Sequence, residues 1–252
     1  MVNLLDKIQK IEFENRFRHI EIDNLVDQKQ YNILREKFPK EDYFSKHNDF
    51  AKSFNDEKLE FNDFLENCNE WKVFLKNINT NKFFLELKKI FKLKNVYFNK
   101  NDIRRFIPSY KKVRLSFCFN ISRQGGFSLP HTDSSRKLVS LVYFFVSDKW
   151  DIKNGGQVNL YKPIKSEHEQ NWRNERINPK ELKTLKTILP TPNKIYGFKK
   201  TKNSYHSVEP VKEENGLARK VLMINLIYEK SSDSPYFEKK ISLKKLKINF
   251  NV

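Results

Sequence analysis

The pattern of apolar and polar positions divides the chain into a helical first part and a strand-rich second part. Between residues 56 and 93, apolar residues recur every three or four positions, which predicts helices that pack on one face of a sheet. The earlier segment FRHIEIDNLVDQKQYNILREKFP opens with a strand-like alternation and continues as a helix, which Asp23 or Asn24 caps and Pro39 ends. The apolar positions of these predicted helices are Leu25, Tyr31, Leu34, Phe38, Leu59, Phe61, Phe64, Leu65, Trp71, Phe74, Leu75, Phe83, Phe84, Leu87, Ile90 and Phe91.

From about residue 96 the pattern changes to short segments rich in Val, Ile, Phe, Tyr and Leu, bounded by Gly, Pro, Asn or Asp. Eight such strands with turns between them suit a sandwich or jelly roll better than alternating βαβ units. A polar, charged stretch over residues 165–190 is interpreted as an insertion at the rim, for which a substrate-covering role and an inert surface loop both stay open. The strand-like segments are VRLSFCFNIS, FSLPH, KLVSLVYFFV, QVNLYKP, KTILP, KIYGF, YHSVEPV and KVLMINLIYE.

Length and composition favour a single domain over residues 1–252. A chain of this length with 38% hydrophobic residues can bury one substantial core. We expect residues 1–95 to form a mostly helical N-terminal support and residues 96–230 to form the β-rich core. Residues 231–252 are expected to be a C-terminal extension without identifiable chemistry.

Nothing in the sequence predicts a membrane or a secreted protein. No run of 18 apolar residues is present. The start MVNLLDKIQKIEFEN has acidic residues within its apolar portion and no small-residue cleavage site, which argues against a signal peptide. Cys68 and Cys118 make no metal-type spacing, so we expect reduced thiols and a cytoplasmic location.

The formal net charge of +18 raises the question of a nucleic-acid partner. The lysines are, however, spread from end to end among many Asn, Ile and Phe residues, a mixture that the codons of a low-GC genome produce without selection for charge. Both explanations stay open, and the sequence favours the compositional one.

The most specific candidate chemistry is the triplet of His131, Thr132 and Asp133. Side chains i and i+2 of a strand project from the same face, so His131 and Asp133 can hold one ion together. His206, in a later strand-like run, can supply a second imidazole from a strand that pairs across the barrel. Two imidazoles and one carboxylate occupy one face of iron(II) and leave the opposite face free for a chelating keto acid and dioxygen.

Arg219, in the last strand-like run, fits the remaining requirement of such a site. A guanidinium can clamp the distal carboxylate of a keto diacid with two parallel charge-assisted hydrogen bonds. Each element alone is weak, because His-X-Asp triplets arise by chance and a lone His206 is more often a core histidine. The hypothesis rests on the coincidence of order, spacing and strand placement.

The segment from about residue 110 to 229 resembles the iron(II)/2-oxoglutarate-dependent dioxygenase superfamily, closest to its prolyl-4-hydroxylase-like branch. The resemblance implies a mainly β, α+β fold: a double-stranded β-helix core, jelly-roll and cupin-like, with N-terminal helices packed on one sheet. Its more specific features are the paired Gly155 and Gly156 before a strand and the Ser-Tyr-His-Ser-Val sequence around His206. The matching text is GGFSLPHTDSSRKLVSLVYFFVSDKW, NGGQVNLYKP, NKIYGFKKTKNSYHSVEPV and ARKVLMINLIYE.

The resemblance also implies an activity and assigns residues to it. The expected enzyme hydroxylates an unactivated C–H bond while 2-oxoglutarate is decarboxylated to succinate, with Fe(II) as the metal and ascorbate as a reductant. His131, Asp133 and His206 match the catalytic metal ligands, and Arg219 matches the cation that binds the co-substrate. Many relatives add a tyrosine in the strand after the triplet, which makes Tyr143 the candidate for a second 2-oxoglutarate contact.

The substrate stays open at this point. Members of the branch act on peptidyl proline, free amino acids, glycans or other small molecules, and desaturation or ring closure are alternatives to hydroxylation. Asn225 stands where nucleobase demethylases of the superfamily carry a second arginine, which argues against a nucleic-acid repair enzyme. The alternatives from other classes are a non-catalytic β-helix binding module and a basic nucleic-acid-binding protein.

A few further positions are candidates for the substrate pocket. Ser116, Cys118 and Asn120 alternate on one face of the strand before the triplet, where they line either the pocket or the ordinary barrel interior. Arg123 and Gln124 are expected near the mouth, where they would meet an acidic or amide group.

Overall fold

A computed structural model of the chain describes residues 4–7, 11–14, 17–48, 51–171, 174–212 and 216–235. The α-helices lie in the first third of the chain, as the apolar spacing predicted. Within the described ranges they are α1 (Leu4–Lys7), α2 (Gln28–Glu36), α3 (Leu59–Asn67), α4 (Asn69–Ile78) and α5 (Asn81–Ile90).

Helix α2 begins later than the sequence predicted. Its N-cap is Asp27, whose Oδ1 accepts a hydrogen bond from the Gln30 amide at 2.8 Å, so the expectation of Asp23 or Asn24 as the cap was wrong. The reason is a contact with a distant part of the chain. The backbone amide of Leu25 donates to the carbonyl of Asn193 and Asn24 has a φ of 54°, so this part of the chain is held outside the helix.

The strands of the described residues run through the whole chain and not only through its second part. They are β1 (Ile11–Glu14), β2 (Phe17–Ile22), β3 (Ser45–Asn48), β4 (Ala51–Asn55), β5 (Val96–Tyr97), β6 (Lys111–Ser122), β7 (Ser128–His131), β8 (Lys137–Phe144), β9 (Val158–Pro163), β10 (Leu182–Ile188), β11 (Ile195–Lys199), β12 (Tyr205–Val208) and β13 (Arg219–Tyr228).

These strands form two sheets of unequal size. Nine of the described strands make the large sheet, in the order β1-β2-β11-β8-β13-β6-β4-β3 with β5 beside β6. The other four make the small sheet, in the order β10-β9-β12-β7. All of these pairs are antiparallel except β5 with β6. Neighbouring strands that are distant in sequence therefore bring residues from separate segments together.

The N-terminal third contributes to the sheet as well as to the helical layer. Strand β2 extends the large sheet beyond β11, and β4 extends it beyond β6. The short β4 has no clear period-2 alternation, which explains why its sequence did not indicate a strand.

Two apolar cores flank the large sheet. On one face, the helices bury a core rich in aromatic rings, in which Trp71 of α4 meets Phe119 of β6 edge-to-face at 4.8 Å. On the other face, side chains from both sheets form a second core that includes Val142, Phe144 and Leu160. The large sheet is thus buried on both sides, and the site described below opens between the two sheets.

The predicted insertion at residues 165–190 is only partly irregular. It contains short 3-10 turns at Ser166–Gln170 and Pro179–Glu181, and its last part is β10, which pairs with β9. Most of the predicted C-terminal extension, residues 236–252, lies outside the described residues. Among the helices described, none combines the length and apolar character needed to cross a bilayer.

Candidate active site

The two histidines of the predicted site lie side by side on neighbouring strands of the small sheet. His131 ends β7, His206 lies in β12, and the two residues are register partners in the antiparallel ladder. Their imidazole centroids are 4.3 Å apart. β12 is the direct neighbour of β7 and not a strand that faces it from the other sheet, so strand pairing alone brings the rings together.

Asp133 follows β7 and faces both histidines. Its φ of 69° lies in the left-handed region, which Asp enters more readily than most residues. The preceding Thr132 is fully buried and its hydroxyl donates to the carbonyl of Asn171 at 2.7 Å. Asp133 Oδ1 lies 3.8 Å from His131 Nε2, and Oδ2 lies 3.9 Å from His206 Nε2. Three potential ligand atoms therefore converge from two separate segments.

Backbone carbonyls fix which ring nitrogen faces Asp133. The Nδ1 of His131 lies 2.9 Å from the carbonyl oxygen of Leu129, and the Nδ1 of His206 lies 3.2 Å from that of Ser204. Because a carbonyl oxygen only accepts, each Nδ1 donates its proton, and each Nε2 keeps its lone pair for a metal.

Charge and burial prepare these groups for a divalent cation. The Asp133 carboxylate accepts hydrogen bonds from Lys137 Nζ and Ser140 Oγ, both at 2.8 Å. Burial opposes ionisation of Asp133, but the charge and hydrogen bond of Lys137, together with the neighbouring His206 and His131, outweigh it and hold the pKa below its usual range. Burial lowers the pKa of His131 to about 3, with a contribution from His206, whose own pKa burial also lowers. At neutral pH the site therefore presents two neutral imidazoles and one carboxylate.

This donor set fits iron(II). The three ligand atoms lie within 4.8 Å of one another. In an octahedral shell with ligands at about 2.1 Å, adjacent ligand atoms are about 3 Å apart, so a small inward movement of the side chains would close the set around an ion. Two imidazoles and one carboxylate on one face are the ligands of non-haem iron(II) oxygenases, which keep the opposite positions open.

Arg219 is a buried cation on the same cavity. Its Nε donates to the carbonyl of Gly156 at 2.9 Å, and its Cζ lies 5.2 Å from the centroid of the Phe144 ring. Burial lowers the pKa of the guanidinium to about 10, and Tyr196 acts in the opposite direction. In the part of the chain that the structure describes, no carboxylate forms an ion pair with Arg219. A buried guanidinium without a counter-charge is unfavourable and suits an acidic ligand.

The paired glycines that the sequence singled out hold this arginine in place. Gly156 has a φ of +71°, and a Cβ at this position would lie 2.7 Å from Cδ of Arg219. A Cβ at Gly155 would overlap the carbonyl oxygen of Pro210. Only glycine lets the backbone approach both neighbours this closely.

Tyr143 does not reach the cavity. Along β8, Ser140 and Val142 line the cavity, whereas Tyr143 is fully buried on the helical side of the sheet. Its hydroxyl donates to Oδ1 of Asn193 at 2.7 Å. The prediction of Tyr143 as a co-substrate contact is therefore wrong. The run around it is buried on both faces, so its sequence could not show which side chains face the site.

A different tyrosine, Tyr196, lines the cavity. It lies in β11, is the register partner of Val142, and lines the cavity beside Arg219. Burial raises its pKa, against the effect of the Arg219 charge, so its hydroxyl stays protonated. Tyr196 was not predicted from the sequence as a cavity residue. The only indication was the alternation in KIYGF, which puts Tyr196 and Phe198 on one face.

One cavity of about 190 Å³ is lined by the three metal-type donors, Arg219 and Tyr196. Its walls come from both sheets and from the predicted insertion, which contributes Arg176. Of the pocket positions considered from sequence, Asn120 lines the cavity. Ser116 instead donates to Oδ1 of Asp56 at 2.9 Å, and Arg123 donates to Oε1 of Glu41 through its Nε at 3.0 Å.

Comparison with known proteins agrees with the chemistry of the site. Residues 117–220 match the family model described as the 2OG-Fe(II) oxygenase superfamily. No curated protein sequence matches the chain. Over residues 117–220, the match bears out the predicted superfamily and enzyme class, with Fe(II) and 2-oxoglutarate as the metal and co-substrate of that family.

Solved structures show the same fold at low sequence identity. HygX from Streptomyces hygroscopicus, whose crystals hold nickel and 2-oxoglutarate, is 8% identical, with 90% of this chain and 85% of that chain covered and a TM-score of 0.51. IDO from Bacillus thuringiensis is 15% identical, with 84% and 93% covered and a TM-score of 0.50. A Pseudomonas putida prolyl-4-hydroxylase is 11% identical, with 83% and 92% covered and a TM-score of 0.48. The two matches with a TM-score of 0.50 or above confirm the predicted double-stranded β-helix core with flanking helices.

Proposed function

We propose that this chain, whose residues 117–220 belong to the 2OG-Fe(II) oxygenase superfamily, hydroxylates an unactivated C–H bond of a substrate. In the coupled reaction, 2-oxoglutarate and dioxygen are consumed, one oxygen atom enters the substrate as a hydroxyl group, and succinate and carbon dioxide are released. One observation carries the proposal: three metal-type donors line the same cavity as a buried arginine that has no acidic partner among the described residues.

His131, Asp133 and His206 are proposed as the catalytic metal ligands. When bound, the iron supplies the activation of dioxygen. The protein's part is to hold the three donors on one face of the ion and leave the other face to ligands. The hydrogen bonds from the two Nδ1 atoms fix the ring orientations, and Ser140 orients the Asp133 carboxylate.

Arg219 is proposed to bind the distal carboxylate of 2-oxoglutarate, with the Tyr196 hydroxyl as a second donor. The carboxylate would supply the counter-charge that Arg219 lacks in the described part of the chain. Because Nε is already committed to Gly156, the two terminal nitrogens are the ones available for a ligand.

The division of the chain is part of the same proposal. Residues 96–230 would form the catalytic core, residues 1–95 its support and residues 231–252 an extension, within one domain. The substrate class stays that of the prolyl-4-hydroxylase-like branch: peptidyl or free proline, another small molecule, or a glycan.

The test is a co-substrate turnover assay on the purified protein. Incubation with Fe(II), ascorbate and 2-oxoglutarate should release succinate and carbon dioxide in equal amounts, since each turnover yields one of each. His131→Ala and His206→Ala should abolish the release, and a surface variant such as Lys180→Gln should not.

Two results would contradict the proposal. Release that persists in His206→Ala would place turnover elsewhere. No release from the parent protein, together with no binding of 2-oxoglutarate, would leave the alternative of a non-catalytic β-helix module.

A further inference from the structure

The segment that follows the 3-10 turn at Ser166–Gln170 is fixed against β7, beside the metal ligands. The backbone amide of Ile177 donates to the carbonyl of Pro130 at 3.1 Å, and Thr132 donates to the carbonyl of Asn171. The Asn171 side chain closes the segment on itself through two hydrogen bonds to the backbone of Glu175. This part of the predicted insertion is therefore a built wall of the site.

Arg176 projects from this wall to the cavity. Its Nη1 donates to Ser128 Oγ at 3.1 Å and to the carbonyl of Leu129 at 3.2 Å. The same carbonyl accepts from Nδ1 of His131, so the guanidinium lies next to a proposed metal ligand. All of these partners are neutral, and no described carboxylate forms an ion pair with Arg176.

The charges around the cavity leave a positive excess. Among the residues that the structure describes, the lining includes three cationic side chains, Lys137, Arg176 and Arg219, and a single carboxylate, Asp133. A divalent metal and the 2-oxoglutarate dianion cancel each other when both are bound. Asp133 cancels one of the three cations, so two positive charges stay uncompensated in the loaded site. A positive cavity attracts anions and disfavours cationic groups.

Neutral polar side chains also line the cavity. Ser128 is the direct partner of Arg176, and Asn120 and Ser122 of β6 line the same cavity. Hydroxyl and amide groups beside a guanidinium complete the hydrogen bonds of a carboxylate or phosphate.

We propose that the substrate of this oxygenase enters as an anion, with a carboxylate or phosphate group bound by Arg176 at the rim of the cavity. This rests on the proposed function and adds a substrate class to it. Arg176 determines specificity, because it holds one end of the substrate while a C–H bond faces the metal. A cationic substrate is excluded by the same charge excess.

The experiment is a binding titration of the protein loaded with Mn(II) and saturated with 2-oxoglutarate, in the absence of dioxygen. The probes are butyrate and butyramide, which have nearly the same shape and differ in charge, and inorganic phosphate. With Arg219 and the metal already occupied, butyrate and phosphate should bind at millimolar concentrations, and butyramide should bind at least roughly tenfold more weakly.

Three variants distinguish an effect of Arg176 itself from an effect of the overall positive charge. Arg176→Gln should weaken butyrate binding roughly tenfold and abolish the preference over butyramide. Lys180→Gln removes the same charge from an exposed position of the same segment and should leave butyrate binding unchanged. Arg176→Lys should recover part of the preference for butyrate, since the lysine ammonium keeps the positive charge but lacks the parallel N–H donors of the guanidinium.

The outcomes distinguish this inference from the proposed function. If the parent protein does not bind 2-oxoglutarate in the loading step, the proposed function fails. If it binds 2-oxoglutarate but binds neither butyrate nor phosphate in preference to butyramide, or binds them equally well in Arg176→Gln, the anionic substrate is ruled out and the oxygenase assignment stands.

Discussion

Arg219 and Lys220 are adjacent in sequence, but their side chains lie on opposite faces of β13. The Arg219 side chain lines the cavity, whereas Lys220 lies on the helical side, with its Nζ 5.5 Å from the centroid of the Phe38 ring. The alternation of β13 thus assigns one cation to the site and the other to the packing between sheet and helices. Variants of the two residues separate binding of a ligand from loss of charge.

We expect Arg219→Gln to raise the Kd for 2-oxoglutarate roughly 10- to 100-fold, because it removes charge-assisted hydrogen bonds worth about 1.5–3 kcal/mol. Mn(II) binding should be unchanged. Lys220→Gln is the control and should keep the parent affinity. Calorimetry on the Mn(II)-loaded protein measures both constants. Parent affinity in Arg219→Gln would assign the distal carboxylate to another residue.

Tyr196 and Tyr143, which are both buried, give a second pair of variants. Tyr196→Phe should weaken 2-oxoglutarate binding several-fold, because it removes a hydroxyl beside Arg219. Tyr143→Phe should leave that affinity unchanged and lower the free energy of unfolding by about 1 kcal/mol, through loss of its hydrogen bond to Asn193. Titration calorimetry and denaturant unfolding measure these effects. The reverse pattern would restore the assignment of Tyr143.

At the scale of elements, the tight turn before β9 controls the position of Arg219 on β13. Gly156 approaches the arginine side chain more closely than any other residue type would allow. Strand β13 supplies the cation, but the turn decides where its guanidinium lies.

We expect Gly156→Ala to displace Arg219 and weaken 2-oxoglutarate binding at least several-fold, in addition to destabilising the fold. Gly125→Ala is the matched control. Gly125 also has a positive φ, of +78°, but a Cβ there meets nothing within 4 Å. Both variants carry a backbone strain of about 1–2 kcal/mol, measured by unfolding. Equal 2-oxoglutarate affinities for the two variants would argue against the role of Gly156.

The sequence patterns predicted the helices and strands better than they predicted which side chains face the site and which residues they contact. The helical spacing around Trp71 and Phe84 and the strands that carry His131 and His206 were confirmed by the structure, since periodicity reports directly on one-sided burial. Tyr143 was misplaced because β8 is buried on both faces. Arg176 was not identified as a cavity residue, because its position depends on hydrogen bonds to β7, and sequence patterns carry no record of such tertiary contacts.

At the scale of the whole molecule, the site joins two segments of the small sheet and one face of the large sheet. An ion bound there links β7 to β12 and would be absent from the unfolded chain. Metal binding should therefore stabilise the native state as a whole.

We expect Mn(II) at about 100 times its Kd to add about 2.7 kcal/mol to the free energy of unfolding. For a chain of this size that raises Tm by roughly 5–10 °C. His206→Ala should abolish the shift, and removal of the metal by a chelator should reverse it. Thermal unfolding followed by circular dichroism measures the change. An unchanged shift in His206→Ala would place the metal elsewhere.

The most direct test of the account is a crystal structure of the protein with Mn(II) and N-oxalylglycine, a non-reactive mimic of 2-oxoglutarate. We predict one ion at about 2.1 Å from ligand atoms of His131, Asp133 and His206, with the distal carboxylate of the mimic bound by Arg219. An ion held instead by the second group of donor side chains, Glu167, His168 and Glu181, or a mimic that leaves Arg219 without a partner, would contradict it.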